Sequence, residues 1–235
     1  GMNRYGFNSE DLDDVLTILK ENPQLKVKTV CSHLAASDML EKDDYTHFQI
    51  ELFEQLTSKL QNELKYPFKR HILNTNGTLR NPQYQMEMVR MGIGLYGISD
   101  DKNLQQICRL ESAIAQIRNI KKGEKVGYRN AFEASFDMRI AVIPVGYADG
   151  LNRKLGDGKE KVLVENQECA ILGHVSMDSF VADISNTNAQ EGDVATIFSS
   201  DFSIQKIAND LNTIPYEILA TINRRIKRIY DFPTS

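Results

Sequence analysis

His33, in Ser32-His33-Leu34-Ala35, and Arg90, in Val89-Arg90-Met91-Gly92-Ile93, both end runs that read as strands. An imidazole titrates near neutrality, and a guanidinium is a permanent cation that only donates hydrogen bonds. Such a pair suits an anion or the tuning of a neighbour's proton, although a strand-end histidine also serves structure alone. Gly92 and Ile93 either bring backbone N–H groups close to a phosphate or ease a tight helix-to-strand turn. Val126-Gly127-Tyr128-Arg129 places a tyrosine just past a hairpin turn. It is an acid/base if a nearby cation lowers its ordinary pKa of about 10, and otherwise a half-exposed aromatic. Pro144-Val145-Gly146-Tyr147-Ala148-Asp149-Gly150 and Gly173-His174-Val175-Ser176-Met177-Asp178 each read, taken singly, as a strand ending in a turn. His47, His71 and His174 read as helix surface, strand and structural positions. Cys31, Cys108 and Cys169 lie far apart without ligand spacing, so no metal site is expected, and an odd count suits a reducing compartment.

Two kinds of element must hold these residues. Over residues 1 to about 98, helix and strand signals alternate. Leu12, Val15, Leu16 and Leu19 form one apolar face behind a cap at Asn8 or Ser9, and Asn22-Pro23 ends that helix. Leu25 to Leu34 reads as a strand. A helix over Asp44 to Leu64 carries Phe48, Leu52, Leu56 and Leu60 as its stripe. His71-Ile72-Leu73 is a short strand that stops at Asn74-Thr75-Asn76-Gly77, a third short helix precedes Met91, and Gly92 to Gly97 reads as a further strand. Counting the opening segment, about four strand–helix units imply a parallel sheet with right-handed crossovers. Arg4, His33, Asn74 and Thr75 fall just after strands, where barrel active sites lie. Half a barrel is the expected object. After residue 100 the pattern changes. Arg139–Val145, Lys161–Val164, Glu168–Val175, Phe180–Ile184 and Asp193–Phe198 are short strands at regular spacing, which predicts a mostly antiparallel β domain with one helix near Ile204–Leu211. The expected fold is therefore α/β plus mostly β, with domains at 1–99 and 100–235.

The chain has 235 residues, 28 Lys and Arg against 32 Asp and Glu, and a formal net charge of −4. A mildly acidic, mixed-sign surface argues against nucleic acid as a partner. With 41% hydrophobic residues a sizeable core can form. No run approaches the roughly 20 apolar residues of a membrane span, and no charged-then-apolar leader opens the chain, so a cytoplasmic protein is expected.

In order along the chain, Met2-Asn3-Arg4-Tyr5-Gly6-Phe7, Ser32-His33-Leu34-Ala35, Asn74-Thr75-Asn76-Gly77, Val89-Arg90-Met91-Gly92-Ile93 and Leu95-Tyr96-Gly97 resemble alanine racemase. The resemblance continues through Val126-Gly127-Tyr128, Gly146 to Gly150, Gly173 to Asp178 and Pro215-Tyr216-Glu217-Ile218-Leu219. It implies the C-terminal half of a (β/α)8 barrel followed by a β domain, a pyridoxal 5'-phosphate cofactor and a head-to-tail homodimer with shared active sites. By the same resemblance the chain interconverts L- and D-alanine by a two-base mechanism, for peptidoglycan. Tyr128 matches the tyrosine base that acts on the partner subunit's cofactor. Arg90 matches the arginine facing the pyridine nitrogen, and His33 the histidine linking that arginine towards the tyrosine. Arg4 and Met177 match contacts to the substrate carboxylate, Met177 through its backbone N–H across the dimer, and Tyr147 the substrate entrance. Asn74, Thr75, Gly92, Ile93 and Tyr216 match cofactor contacts, with Thr75 where serine is usual and Ser176 in place of a frequent cysteine.

The resemblance also implies an absence. The family's Schiff-base lysine lies on the first barrel strand, upstream of the arginine matched by Arg4, and no lysine here stands in a matching position. The sequence is thus expected to be the C-terminal part of such an enzyme. The alternatives are a catalytically inactive fragment or dimerisation module, or a related racemase or decarboxylase of the same fold type. Decarboxylases carry a different cysteine-bearing segment where this chain has Gly173 to Asp178.

Overall fold

The structure, a computed structural model, describes residues 1–99 and 101–231. The expected domain boundary falls at Asp100, which lies outside the described residues. The chain forms two compact units, Gly1–Leu95 with Ser99–Leu104, and Tyr96–Ile98 with Gln105–Ser235.

In the first unit, a turn at Ser9–Asp11 leads into α1 (Leu12–Glu21), with the Asn8 N–H donating to Asp11 Oδ2 at 2.6 Å. Leu12, Leu16 and Leu19 of α1 pack with Leu60, Leu64, Phe68, Val27 and Val30. Two short strands follow, β1 (Thr29–Cys31) and β2 (Lys69–His71), paired in parallel with Cys31 opposite His71. The helix between them, α2 (Asp43–Leu64), supplies the crossover. A one-and-a-half-turn helix, α3 (Thr75–Arg80), follows β2, capped where Asn74 Oδ1 accepts the Gly77 N–H.

Three expectations for this unit need correction. The opening segment 2–7 forms no strand. The run Gly92–Gly97 is a 3-10 helix over Ile93–Tyr96. Gly94 allows this, because a Cβ there would stand 2.6 Å from Thr75 Cγ2. The strand-like role passes to Met88–Arg90, whose N–H groups reach Arg70 O at 3.3 Å and Leu73 O at 3.0 Å. Finally, the buried face of α2 is Thr46, Gln49, Ile50, Phe53, Thr57 and Leu60, and Phe48 of the expected stripe is 54% exposed. Gln49 is tolerated inside because its Oε1 accepts the Ala35 N–H and its Nε2 donates to His33 O.

The second unit is built on a sheet of seven strands among the described residues. They are β3 (Leu110–Ala113), β4 (Gln116–Ile120), β7 (Met138–Ile143), β8 (Lys161–Val164), β9 (Gln167–Leu172), β10 (Phe180–Asp183) and β11 (Val194–Phe198). Their order is β3-β11-β8-β9-β10-β7-β4, every pairing antiparallel. The two outermost strands are consecutive in the chain, separated by Ile114 and Ala115. Ile114 donates to Asp193 O beside β11, and Ala115 donates to Val142 O in β7. One extended stretch therefore serves both margins, which rolls the sheet around a core that includes Ile114, Ile143, Val162, Val164, Ile171 and Ala182. A two-residue ladder, β5 (Lys125–Val126) with β6 (Phe132–Glu133), projects a loop from this body. Two helices, α4 (Ile204–Asp210) and α5 (Pro215–Thr221), close the unit.

Candidate active site

Parallel pairing brings the C-terminal ends of β1 and β2 side by side, and Arg90 lies across them. Its Nη1 donates to His71 Nδ1 at 2.5 Å and His71 O at 2.9 Å. Its Nη2 faces Ser32 O at 2.5 Å, His33 Nδ1 at 3.2 Å and Ile72 O at 3.3 Å. A guanidinium has no acceptor, so both imidazoles must receive at Nδ1 and carry their proton on Nε2. Electrostatics agree. Burial first, then the Arg90 charge, holds both histidines below their usual pKa, and Arg4 adds to the effect at His33. The four Nη hydrogens are thus committed, and among the described residues no acceptor reaches the Nε–H.

Next to it stands a hydroxyl in an unusual position. Thr75 is fully buried, and its Oγ1 accepts the Gly92 N–H at 3.0 Å and the Gly94 N–H at 3.3 Å. Both lone pairs are taken, so the O–H can only donate, and no acceptor for it lies among the described residues. Asn74 stands beside it, its Oδ1 shared between the Gly77 N–H and the Ser37 hydroxyl at 2.7 Å. Ile93 begins the 3-10 helix that follows Gly92. Arg4 lies at the exposed start of the unit.

The first unit therefore brings together Arg90, His33, Asn74, Thr75, Gly92 and Ile93. It also adds His71, a strand residue whose ring Nδ1 meets Arg90 Nη1. The missing signal was register, because His71 pairs with Cys31 and so ends its strand level with the run leading to His33.

The second unit presents a different set. Tyr128 is 69% exposed at the tip of the loop between β5 and β6. Gly127, Arg129 and Asn130 around it all take positive φ, at 77°, 61° and 52°. Such a run of left-handed residues is held only where the flanking structure fixes it. Here the ladder holds both ends, and the loop packs on Gly173, where a Cβ would stand 3.1 Å from Val126 O. His174 pairs with Asp157 at 3.0 Å.

Tyr147 and Met177, 45% and 54% exposed, sit on two joined loops. The Tyr147 N–H donates to Ser176 O at 3.0 Å and the Ala148 N–H to Met177 O at 2.9 Å. Gly146 is required between them, since a Cβ would come within 2.2 Å of Met177 O. Tyr216 stands exposed on the first turn of α5 behind Pro215. Among the described residues no cluster of three metal-binding side chains occurs, and no helix is long and apolar enough to cross a membrane.

Comparison with known proteins places both units. Residues 1–100 match the family model for the alanine racemase N-terminal domain, and residues 107–230 that for the alanine racemase C-terminal domain. An alanine racemase of Sorangium cellulosum is 33% identical over 99% of the chain, and alanine racemase 1 of Oceanobacillus iheyensis 31% identical over 98%. The chain spans 64% of the length of each. Among solved structures, alanine racemase from a D-cycloserine-producing Streptomyces lavendulae superposes with a TM-score of 0.91 at 26% identity, covering 100% of this chain and 65% of that one. The Bartonella henselae alanine racemase, solved with covalently bound pyridoxal phosphate, superposes with a TM-score of 0.83 at 29% identity, covering 98% and 64%. These likenesses identify the first unit as part of a (β/α)8 barrel and the second as the β domain that follows it. The chain belongs to the alanine racemase family.

Proposed function

We propose that this sequence carries the cofactor cradle and the tyrosine base of a pyridoxal-phosphate-dependent alanine racemase, which interconverts L- and D-alanine and supplies D-alanine for peptidoglycan. The observation that carries the reading is Arg90. Its Nη groups are consumed by the strand ends and two imidazoles, which leaves one cationic N–H for an acceptor. A pyridine nitrogen is such an acceptor. The buried Thr75 O–H, with both lone pairs filled, is the matching donor for a phosphate oxygen. The residues present therefore fit the cofactor at both ends.

Bound there, pyridoxal phosphate would supply the electron sink that makes an amino acid's α-proton acidic. The chain's residues do the rest. Thr75, Gly92 and Ile93, with Asn74 alongside, hold the phosphate, and the resemblance assigns Tyr216 to the same end. Arg90 donates to the ring nitrogen, and its fixed charge opposes protonation there, which moderates the sink and limits side reactions. His33, neutral with its proton on Nε2, donates towards the tyrosine oxygen and favours its ionised form. Tyr128 exchanges a proton at the substrate Cα from one face. Arg4 and the Met177 N–H hold the substrate carboxylate, and Tyr147 lines the entrance.

Tyr128 and Met177 serve a second copy in this reading, so the working form is a cytoplasmic homodimer of domains 1–99 and 100–235. The exposure of both side chains supports this arrangement.

The test is isotope exchange. The gene product containing this sequence, given pyridoxal phosphate and L-alanine in deuterated water, is expected to form D-alanine deuterated at Cα. Bound cofactor without α-deuterium incorporation overturns the reading.

A further inference from the structure

Two segments of the β unit meet at one buried carboxylate, Asp149, and Arg225 links a third to them. Asp149 is 5% exposed, and its Oδ2 accepts the Gly146 N–H at 2.9 Å. Its Oδ1 receives Arg225 Nε at 2.6 Å, and its backbone oxygen accepts the Asn223 N–H at 2.9 Å. The Asn223 side chain donates to Ala148 O at 3.0 Å and takes the Arg225 N–H through its own oxygen at 3.0 Å. Arg225 then extends a second N–H, from Nη2, to Asp178 Oδ1 at 2.8 Å.

These two grips differ in kind. Asp149 is buried, and the guanidinium beside it holds its carboxyl below the usual range. Removing that cation strands a charge in the interior. The Asp178 side chain is 65% exposed, and a pair in that setting contributes little to stability. A contact worth little energy still sets geometry, because Asp178 follows Met177 directly and the Ala148 N–H binds Met177 O. The planar fork of arginine meets the two carboxylates from two different nitrogens, Nε on Asp149 and Nη2 on Asp178.

We propose that Arg225 is a positioning residue: anchored on Asp149, it draws Asp178 in and so fixes the Ser176–Asp178 loop against Tyr147–Asp149. What it positions for catalysis rests on the reading above, in which the Met177 N–H meets the substrate carboxylate.

Amide hydrogen exchange on the 235-residue chain tests the positioning itself, without cofactor or substrate. In Asp178→Ala, which leaves the buried Asp149–Arg225 pair intact, the amides of Tyr147 and Ala148 are expected to exchange about tenfold faster, with Val181 and Ala182 of β10 unchanged. Asp178→Asn keeps an oxygen within reach and restores the original rates. Unchanged rates at Tyr147 and Ala148 in Asp178→Ala overturn the proposal, as does acceleration spread evenly over the β unit. In the racemising protein, Asp178→Ala is expected to raise KM for alanine more than it lowers kcat. An unchanged KM with faster exchange removes the link to substrate and leaves the clasp standing. Absence of racemisation in the wild type is a failure of the functional reading alone.

Discussion

One guanidinium fixes the state of two imidazoles. Arg90 offers only donors, so His33 and His71 are both held neutral with the proton on Nε2. Nitrogen-15 NMR is expected to show Nδ1 of each as the unprotonated nitrogen and both rings titrating below the usual value of about 6.5. The sign follows from proton counting. Below about 6.5 the unfolded chain takes up protons that the folded chain resists, so this cluster contributes fully above that pH. Its contribution is lost as pH falls through the lowered folded values. Thr75 gives a second prediction at the same scale. Thr75→Val leaves the N–H groups of Gly92 and Gly94 without their acceptor, which costs about 1–3 kcal/mol by thermal or denaturant unfolding. Thr75→Ser keeps the hydroxyl and is expected to hold pyridoxal phosphate in equilibrium dialysis where Thr75→Val does not. Arg90, His33 and Thr75 stood out in the sequence as polar residues at strand ends, but only the family resemblance gave them roles. His71 did not, because the property that matters is its alignment with Cys31 on another strand, and pairing register leaves no trace in one segment's residue types.

Elements were legible where a single period governed them. In the β unit, short apolar runs at regular spacing with turn residues between them marked β7 through β11 to within a few residues. The barrel portion was harder to read. Its strands β1 and β2 are each three residues long, too short for an alternation to declare itself. Gly92–Gly97 looks strand-like by composition, and only the approach of Thr75 to Gly94 reveals a tight helical turn. In α2, spacing of four along Phe48, Leu52, Leu56 and Leu60 drifts off a helix of 3.6 residues per turn. The true inner face admits Thr46, Gln49 and Thr57, whose polarity hid it. This difference can be measured. Phe53→Ala is expected to destabilise the chain by about 3–5 kcal/mol in denaturant unfolding. Phe48→Ala is expected to stay within about 0.5 kcal/mol. A loss at Phe48 as large as that at Phe53 would mean that Phe48 is packed inside as well.

At the scale of the whole molecule, the rolled sheet of the β unit shapes how that unit can come apart. Its first and last strands are one piece of chain, 110–120, hinged at Ile114, which is 2% exposed. Like the seam of a rolled cylinder, this stretch stitches Val194 to Ala113 on one side and Val142 to Gln116 on the other. No margin can fray alone, since loosening β3 pulls on β4 through two residues. Ile114→Ala, a cavity mutation costing about 2–5 kcal/mol, is thus expected to accelerate exchange at both margins together rather than one. Stitching also demands that β3 wait for β11, some eighty positions later in the chain. Closure is then the late event in folding, and such long-range pairing is intrinsically slow. A truncated nascent chain ending before β11 would carry every other strand of the sheet and still lie open along the seam.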